Sequence, residues 1–564
     1  MEQNDFKHWI TRDLEAELAN SYAFTVKHIG YWVKGIWHIG KTALLEKFGK
    51  DHFRKTYLFD CSAKEQRTAF ERELSAAVSV IGGTHFDKRY ASSALKKCLP
   101  GFEDSPDELV IFDKIQDSVY LHNMARWIIR GLDAKVCLCG SFLGDILKWE
   151  NVKYAAGDAR IFKLHPVAYH EYVRSVKALE KYRSARDFAT AISSPDESAP
   201  DAVLQDPKPY FAIFYDIGGF PQALTIASQD SKDLQDSQDP QGQQAPKALQ
   251  ALQADFLKEA IASRDSDLTA FIQTAMQKTQ GDLSLKQWQT IMEYAIQVTI
   301  SHEVLFYHNN MHVANLERDF PSIPLSKSED LVSDLLRWME GSGILELVPT
   351  IENINEPDYY AIRKYMFTSC QVLCKLAEVA ASPVTGETLE SVKAETLVLN
   401  ELLSLKSSYK YDSLNCYCLD EADCFREVGF AISSMEGARV LIELRDWETL
   451  SNAKNASKEG EALSGASSCR QALLDGNADY LIKLGISDGT GNAADCAGFV
   501  KGNEFTLPMW HIDRLSVIIH LIDIACTNKM TLEQTYSRYT KGIDDEIIPK
   551  PPWQPDDFDD GEDI

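Results

Sequence analysis

The chain has 564 residues, a length that suits two to four domains, and its 45% apolar content is enough for full cores. Its 58 Lys and Arg face 84 Asp and Glu, a net charge of -26, which argues against a general nucleic-acid coat and leaves at most a local basic groove. The opening Met-Glu-Gln-Asn-Asp-Phe lacks the basic and apolar regions of a signal peptide, and no apolar run reaches the roughly 18 residues that span a membrane. The 12 cysteines then read as reduced thiols, and a cytoplasmic, prokaryotic setting is expected, with no membrane partner.

From residue 1 to 227, short apolar runs alternate with helical periods. Tyr31-Trp-Val33, Thr56 to Asp60, Leu109 to Asp113 and Val136 to Cys139 read as buried parallel strands. Lys64 to Ile81 and Ser118 to Leu132 read as helices between them. This rhythm predicts an α/β fold, a doubly wound parallel sheet with ligands at the strands' C-terminal ends. Residues 228–254, rich in Gln, Asp and Ser, read as a linker or surface insertion.

Residues 255–350 read as a helical or winged-helix-like middle region. Within it Ser326 to Glu329 forms a capping box before a helix that Gly341 and Gly343 end, and strand Ile344 to Val348 follows. Residues 351–530 turn mixed α+β: helix Glu387 to Leu405, then strands Leu414 to Cys418, Glu427 to Ile432 and Arg439 to Leu444, with a low-complexity insertion at 451–468. Residues 531–564 close the chain in an acidic tail without Lys or Arg after Trp553, read as solvated.

The strongest chemical signal is Gly35-Ile36-Trp37-His38-Ile39-Gly40-Lys41-Thr42, the Gly-x-x-x-x-Gly-Lys-Thr pattern of a phosphate loop, or Walker A. Glycines let backbone amides wrap the β-phosphate, Lys41 reaches the β- and γ-oxygens, and the Thr42 hydroxyl ligates magnesium. The helix that starts there and continues through Ala43 turns its positive end to the phosphates. Asp113, closing an apolar strand, is the Walker B candidate for the magnesium shell. The next residue is Lys114 rather than the Glu that orients water in many such ATPases, so slow or absent hydrolysis is expected unless Asp117 or Glu108 substitutes. Ser141, at the tip of the next strand, is the candidate γ-phosphate sensor. Expected cofactors are therefore ATP and Mg2+.

The order of these motifs, with Asp113-Lys-Ile-Gln116, Gly140-Ser141, Arg160-Ile-Phe-Lys-Leu-His-Pro166, Tyr169-His-Glu171 and Gly218-Gly-Phe-Pro221, resembles prokaryotic AAA-type ATP-binding proteins with a C-terminal nuclease-like domain of unknown function. The resemblance implies an AAA-like domain, a helical or winged-helix middle, and a restriction-nuclease-like end. It makes Arg160 a candidate contact to phosphate or a neighbouring subunit. It also matches Glu390, Gly429, Glu443 and Arg445 to the nuclease acid, Asp, Glu and Lys positions. Gly429 removes a metal ligand and Arg445 stays protonated, so the implied scaffold lacks cleavage. A regulatory or interaction protein, with a protein partner or self-association, is the expected role. The alternatives are an ATP-driven nuclease acting on nucleic acid and a scaffold without nucleotide.

Other signals are weaker. His302, His308 and His312 with Glu303 make a poor metal set, and Cys416, Cys418 and Cys424 lack paired zinc spacing. Cys137, Cys139 and the aromatic residues near 117–131 read as core.

Overall fold

The computed structural model describes residues 9–24, 29–79, 88–140, 159–175, 208–225, 284–300, 304–307, 310–313, 325–351, 363–380, 387–407, 410–421, 424–446, 468–486 and 499–540, with a few positions between 261 and 273. Two expected low-complexity stretches, the acidic tail, and the side chains of His302, Glu303, His308, His312, Cys418 and Cys424 lie outside the described set.

Near the N-terminus, strands β1 (Gly30–Lys34), β2 (Lys55–Asp60), β3 (Glu108–Asp113), β4 (Lys135–Gly140) and β5 (Ala159–Lys163) form one sheet in the order β2-β3-β4-β1-β5. Every pairing in it is parallel. Side chains of a strand point alternately to opposite faces, and here each face has a core. Tyr31, Val33, Leu109, Ile111, Cys137 and Cys139 join Leu14, Leu18, Leu44, Leu45 and Phe48 on one side. On the other, Trp32, Val110, Phe112, Val136 and Leu138 meet Phe70, Leu74, Leu95, Leu121 and Ile128. Helices Asp13–Phe24 and Lys41–His52 thus cover one face, and helices Lys64–Ser79, Lys88–Cys98 and Val119–Gly131 the other. The N-terminal unit is an α/β P-loop fold. Ser118 caps the last of these helices by accepting from the Leu121 amide at 2.9 Å.

The middle region holds helix Leu285–Ile300, the hairpin of β6 (Val304–Tyr307) and β7 (Asn310–Val313), and helix Leu325–Gly341. That last helix begins one residue before Ser326, so Ser326 is not its N-cap. Strands β8 (Leu345–Ile351) and β9 (Arg363–Phe367) pair antiparallel, and β8 also runs parallel to β10 (Tyr411–Glu421). The sheet therefore spans the expected division at residue 350.

Beyond β9 come helices Cys370–Ala380 and Glu387–Ser407, then β10, β11 (Cys424–Ser434), β12 (Arg439–Asp446), helix Ser468–Leu474, β13 (Tyr480–Ile486), β14 (Phe499–Lys501) and β15 (Glu504–Pro508). The eight-stranded sheet runs β14-β15-β13-β12-β11-β10-β8-β9. Helices Leu515–Asn528 and Leu532–Thr540 follow. Among the described residues no single helix is long and apolar enough to cross a membrane.

Candidate functional site

The loop after β1 has the backbone that its glycines permit. Gly35 at φ 155° and Gly40 at φ 88° lie where a side chain would be strained, and a Cβ on Gly35 would sit 2.2 Å from the Leu164 carbonyl oxygen. Gly40 is the left-handed N-cap of helix Lys41–His52 and offers no side chain to its amides, which leaves the first-turn N–H groups for an anion. His38 also has positive φ, 61°, and its ring meets Trp37 edge-on at 4.4 Å. Ile39 is buried, and Ala43 is half-buried on the first helical turn.

Lys41 is 7% exposed and donates to the Ile36 carbonyl across the loop. Burial lowers its pKa, while Cys139 and Asp113 pull it upward. A buried ammonium held by one carbonyl is under-solvated, and a polyanion entering the loop would supply the missing countercharge. Across the sheet tip the Thr42 hydroxyl donates to Asp113 Oδ2 at 3.0 Å, and the other oxygen, Oδ1, accepts from the Lys114 amide at 2.9 Å. One hydroxyl and one carboxylate are the hard-oxygen pair that suits Mg2+, which takes its remaining ligands from water and phosphate. No group of three or more His, Cys, Asp or Glu able to hold a metal occurs among the described residues. The Gly218–Pro221 turn borders the loop: a Cβ on Gly40 would lie 3.7 Å from Pro221 Cγ.

Lys114, the residue after Asp113, has a left-handed conformation, φ 51°. Its ammonium turns to the end of β2, 3.1 Å from Asp60 Oδ2 and 3.1 Å from Ser62 Oγ. Partial burial opposes ionisation of Asp60, yet bonds from Ser62 and Lys114 hold its pKa below the usual carboxylate value. The acid nearest Lys114 is thus already neutralised by it. Of the substitutes, Glu108 is excluded: it begins β3, roughly 16 Å from the tip at about 3.3 Å per residue. Fully buried there, it accepts from Glu103 N and Ser105 N. Asp117 stays near the tip, in the short turn after Asp113.

Arg160 stands beside Tyr31 early in β5, roughly 10 Å along the strand from the loop end, and donates to Ser21 Oγ at 2.7 Å. The structure therefore ties it to the opening helix rather than to the loop. Ser141 lies outside the described residues. Cys137 and Cys139 are fully buried free thiols in β4.

In the C-terminal unit the matched nuclease positions do not converge. Helix Glu387–Ser407 lies against β10, and its buried Val398 and Leu402 share one core with Leu414, Phe430 and Ile442. Leu441 belongs to the core on the opposite face, so by strand alternation Glu443 points that way too. Glu390, 54% exposed, instead pairs with Lys393 at 2.8 Å and accepts from Tyr215 Oη at 3.1 Å. A Cβ at Gly429 would lie 2.1 Å from the Ile442 carbonyl oxygen, so this backbone has no space for the family's Asp. The lysine in register with Glu443 is Lys483 on β13, itself held by Glu504 at 2.6 Å. Sequence spacing pointed to Arg445, whose side chain lies outside the described set. In Gly429→Asp the chain should lose about 2–3 kcal/mol or more, read from urea denaturation, because backbone and not a side-chain tip must yield.

The reading of motifs also passed over a buried ionic cluster behind the phosphate loop. Arg12, Asp13, Glu171 and Glu401 are each under 10% exposed and are joined through His170. Its visible traces were Arg12-Asp13 at the start of one helix, His170-Glu171 in another and Glu401 in a third, charged positions of a kind that surface helices share.

No family model matches the chain, and no curated protein matches it. Among solved structures, it is similar to the ORC1 protein of Aeropyrum pernix in complex with DNA, at 12% identity and a TM-score of 0.25 over 67% of this chain and 93% of the other. CDC6P of Pyrobaculum aerophilum shows 11% identity and a TM-score of 0.23, covering 69% and 95%. The ORC2 protein of Aeropyrum pernix, in ADPNP-ADP complexes, shows 12% and 0.24, covering 71% and 95%. Likeness at this level leaves the fold to be read from the sheet itself.

Proposed function

We propose that this chain is an ATP- and magnesium-binding P-loop protein of AAA-like type whose nucleotide state sets how its units are arranged, with slow hydrolysis. The observation that carries the reading is the hydroxyl–carboxylate pair of Thr42 and Asp113 beside the buried Lys41 ammonium, at the mouth of a parallel sheet. Bound magnesium would neutralise phosphate charge there. Gly40 and the first-turn amides would cradle the phosphates, Lys41 would grip the β- and γ-oxygens, and Thr42 and Asp113 would hold the metal. Calorimetric titration of the protein with Mg–ATP tests this: saturable binding that disappears in Lys41→Ala is expected, and equal binding by both proteins overturns it.

Slow turnover follows from Lys114, a cation that cannot take a proton from water and that occupies Asp60. Lys114→Glu should raise single-turnover hydrolysis by about 100-fold, the lower end of the usual range for a positioned general base. No gain would move the cause of slow turnover elsewhere.

The same reading makes helices Leu285–Ile300 and Leu325–Gly341 with the β8–β9 hairpin a winged-helix-like region, supported by that order of elements. The final unit is then a nuclease-like scaffold without cleavage. The helix, three antiparallel-paired strands, helix and strand from Glu387 to Ile486 support the scaffold. The closed backbone at Gly429 and the divergent Glu390 and Glu443 support its inactivity. Incubation with DNA and Mg2+ or Mn2+ should give no cleavage; cuts that vanish in Glu443→Ala would favour the ATP-driven nuclease instead.

A further inference from the structure

A phosphate loop binds with its N–H groups, so the direction of each peptide plane decides whether an amide faces the anion or turns from it. The Ile39–Gly40 peptide is one of these planes. Because the peptide is planar and trans, fixing the Ile39 carbonyl on one side sends the Gly40 N–H to the other. Arg12 does this fixing: its Nη1 donates to the Ile39 carbonyl at 3.2 Å. The same guanidinium donates to the His165 carbonyl at 2.7 Å and to Glu171 Oε2 at 2.9 Å, which leaves the group little freedom to swing.

The contacts continue without a gap into the C-terminal unit. Glu171 Oε1 accepts from the Asp13 amide at 2.7 Å. The Asp13 carboxylate lies 2.8 Å from His170 Nε2, and His170 Nδ1 lies 2.6 Å from Glu401 Oε1 on helix Glu387–Ser407. Ser404 of that helix donates to Asp13 Oδ2 at 3.3 Å, and Arg174 donates to Oδ1 at 2.6 Å. A second contact comes from the middle region. Gly343, in the turn after helix Leu325–Gly341 with φ 83°, lies so near the loop that a Cβ there would be 3.0 Å from Ile36 N and 3.1 Å from Gly35 Cα.

We infer that Arg12 is a positioning residue of the phosphate loop, and that through Glu171, Asp13, His170 and Glu401 the docking of helix Glu387–Ser407 and the affinity for nucleotide are linked. The inference rests on the ATP reading above. It gives that reading a route, in which ordering the loop around phosphate tightens the Ile39–Arg12 contact and hence the seat of the helix. By linkage, loosening the helix must weaken nucleotide binding to the same degree.

The test uses the full chain and Mg–ATP. Arg12→Gln should bind ATP about tenfold more weakly, the loss of one charge-assisted bond that aims an amide, with Arg12→Lys intermediate because a compact ammonium lacks the planar fork that spans all three acceptors. Glu401→Gln, remote from any phosphate and similar in shape, should bind ATP several-fold more weakly. Hydrogen exchange of the wild type should slow within 387–407 when ATP is added, and this slowing should be absent in Arg12→Gln at saturating ATP. A purely structural role would lower Tm without moving either readout. ATP binding with protection confined to the loop, and unchanged affinity in Glu401→Gln, would overturn the linkage while leaving the nucleotide site intact. A wild type that binds no ATP would overturn both.

Discussion

In Lys41→Ala, thermal stabilisation by Mg–ATP should vanish while the nucleotide-free protein melts no lower than the wild type. Both halves follow from the same ammonium. Burial lowers its pKa, so without ligand the charge is held against its solvation preference, and removing it relieves a cost as well as a bond to Ile36. With ligand present, that charge would face phosphate. A charge-assisted hydrogen bond contributes about 1.5–3 kcal/mol, so affinity should fall by one to two orders of magnitude at least. Differential scanning fluorimetry across an ATP series reads both effects. A variant that unfolds many degrees early, or that keeps the ATP shift, contradicts this account of the loop.

The second large effect concerns His170. Burial alone would push its imidazole down, but Glu401 and Asp13 override that and raise the pKa from 6.5 to about 10. A base with a raised folded-state pKa contributes stability that is full below the unfolded value and is lost as pH climbs through the folded one. The window is therefore pH 6.5 to about 10, and at about 1.4 kcal/mol per unit the loss should amount to a few kcal/mol. Asp513 faces the same cluster, and burial with the Glu401 charge raises its carboxyl to about 6. Its contribution is present below the unfolded value and gone above pH 6, outside the window. Chemical denaturation at pH 7 and pH 9.5 should show the wild type losing stability and His170→Gln losing markedly less. Glu401→Ala at pH 7 should cost about 3–5 kcal/mol, because it leaves a buried cation with only Asp13 as its partner. Equal pH slopes in wild type and His170→Gln would show that the cluster is not charged as described.

Local signals made much of the N-terminal unit legible. Strands β1, β3 and β4 are continuous apolar runs, since burial on both faces removes any need for polar alternation; edge strand β2 showed through Tyr57, Leu58 and Phe59, and all four appear within a residue or two of their expected bounds. The loop was legible because its chemistry is contiguous. The edge strand β5 was not: in Ala159–Lys163 only Phe162 is deeply buried, and Ile161 is half exposed, so it lacks the apolar run. Beyond β12 the strands were missed where pairing is long-range, as with Lys483, whose place beside Glu443 depends on register and not on spacing. The ionic cluster lies further still from local reading, since Asp13 and Ser404 meet across 391 positions.

Strand β8 belongs by chain order to the middle region and by hydrogen bonding to the final sheet, where Thr350 and Ile351 meet Cys416 and Tyr417. A fragment begun after residue 351 would leave the flank of β10 with unsatisfied amides and carbonyls, an invitation to sticky self-association. The same cut would strip β9 of its hairpin mate, and a fragment stopped at residue 351 would keep β8 without either of its neighbours. Dissection of this protein into soluble pieces therefore has to keep β8, β9 and β10 on the same polypeptide.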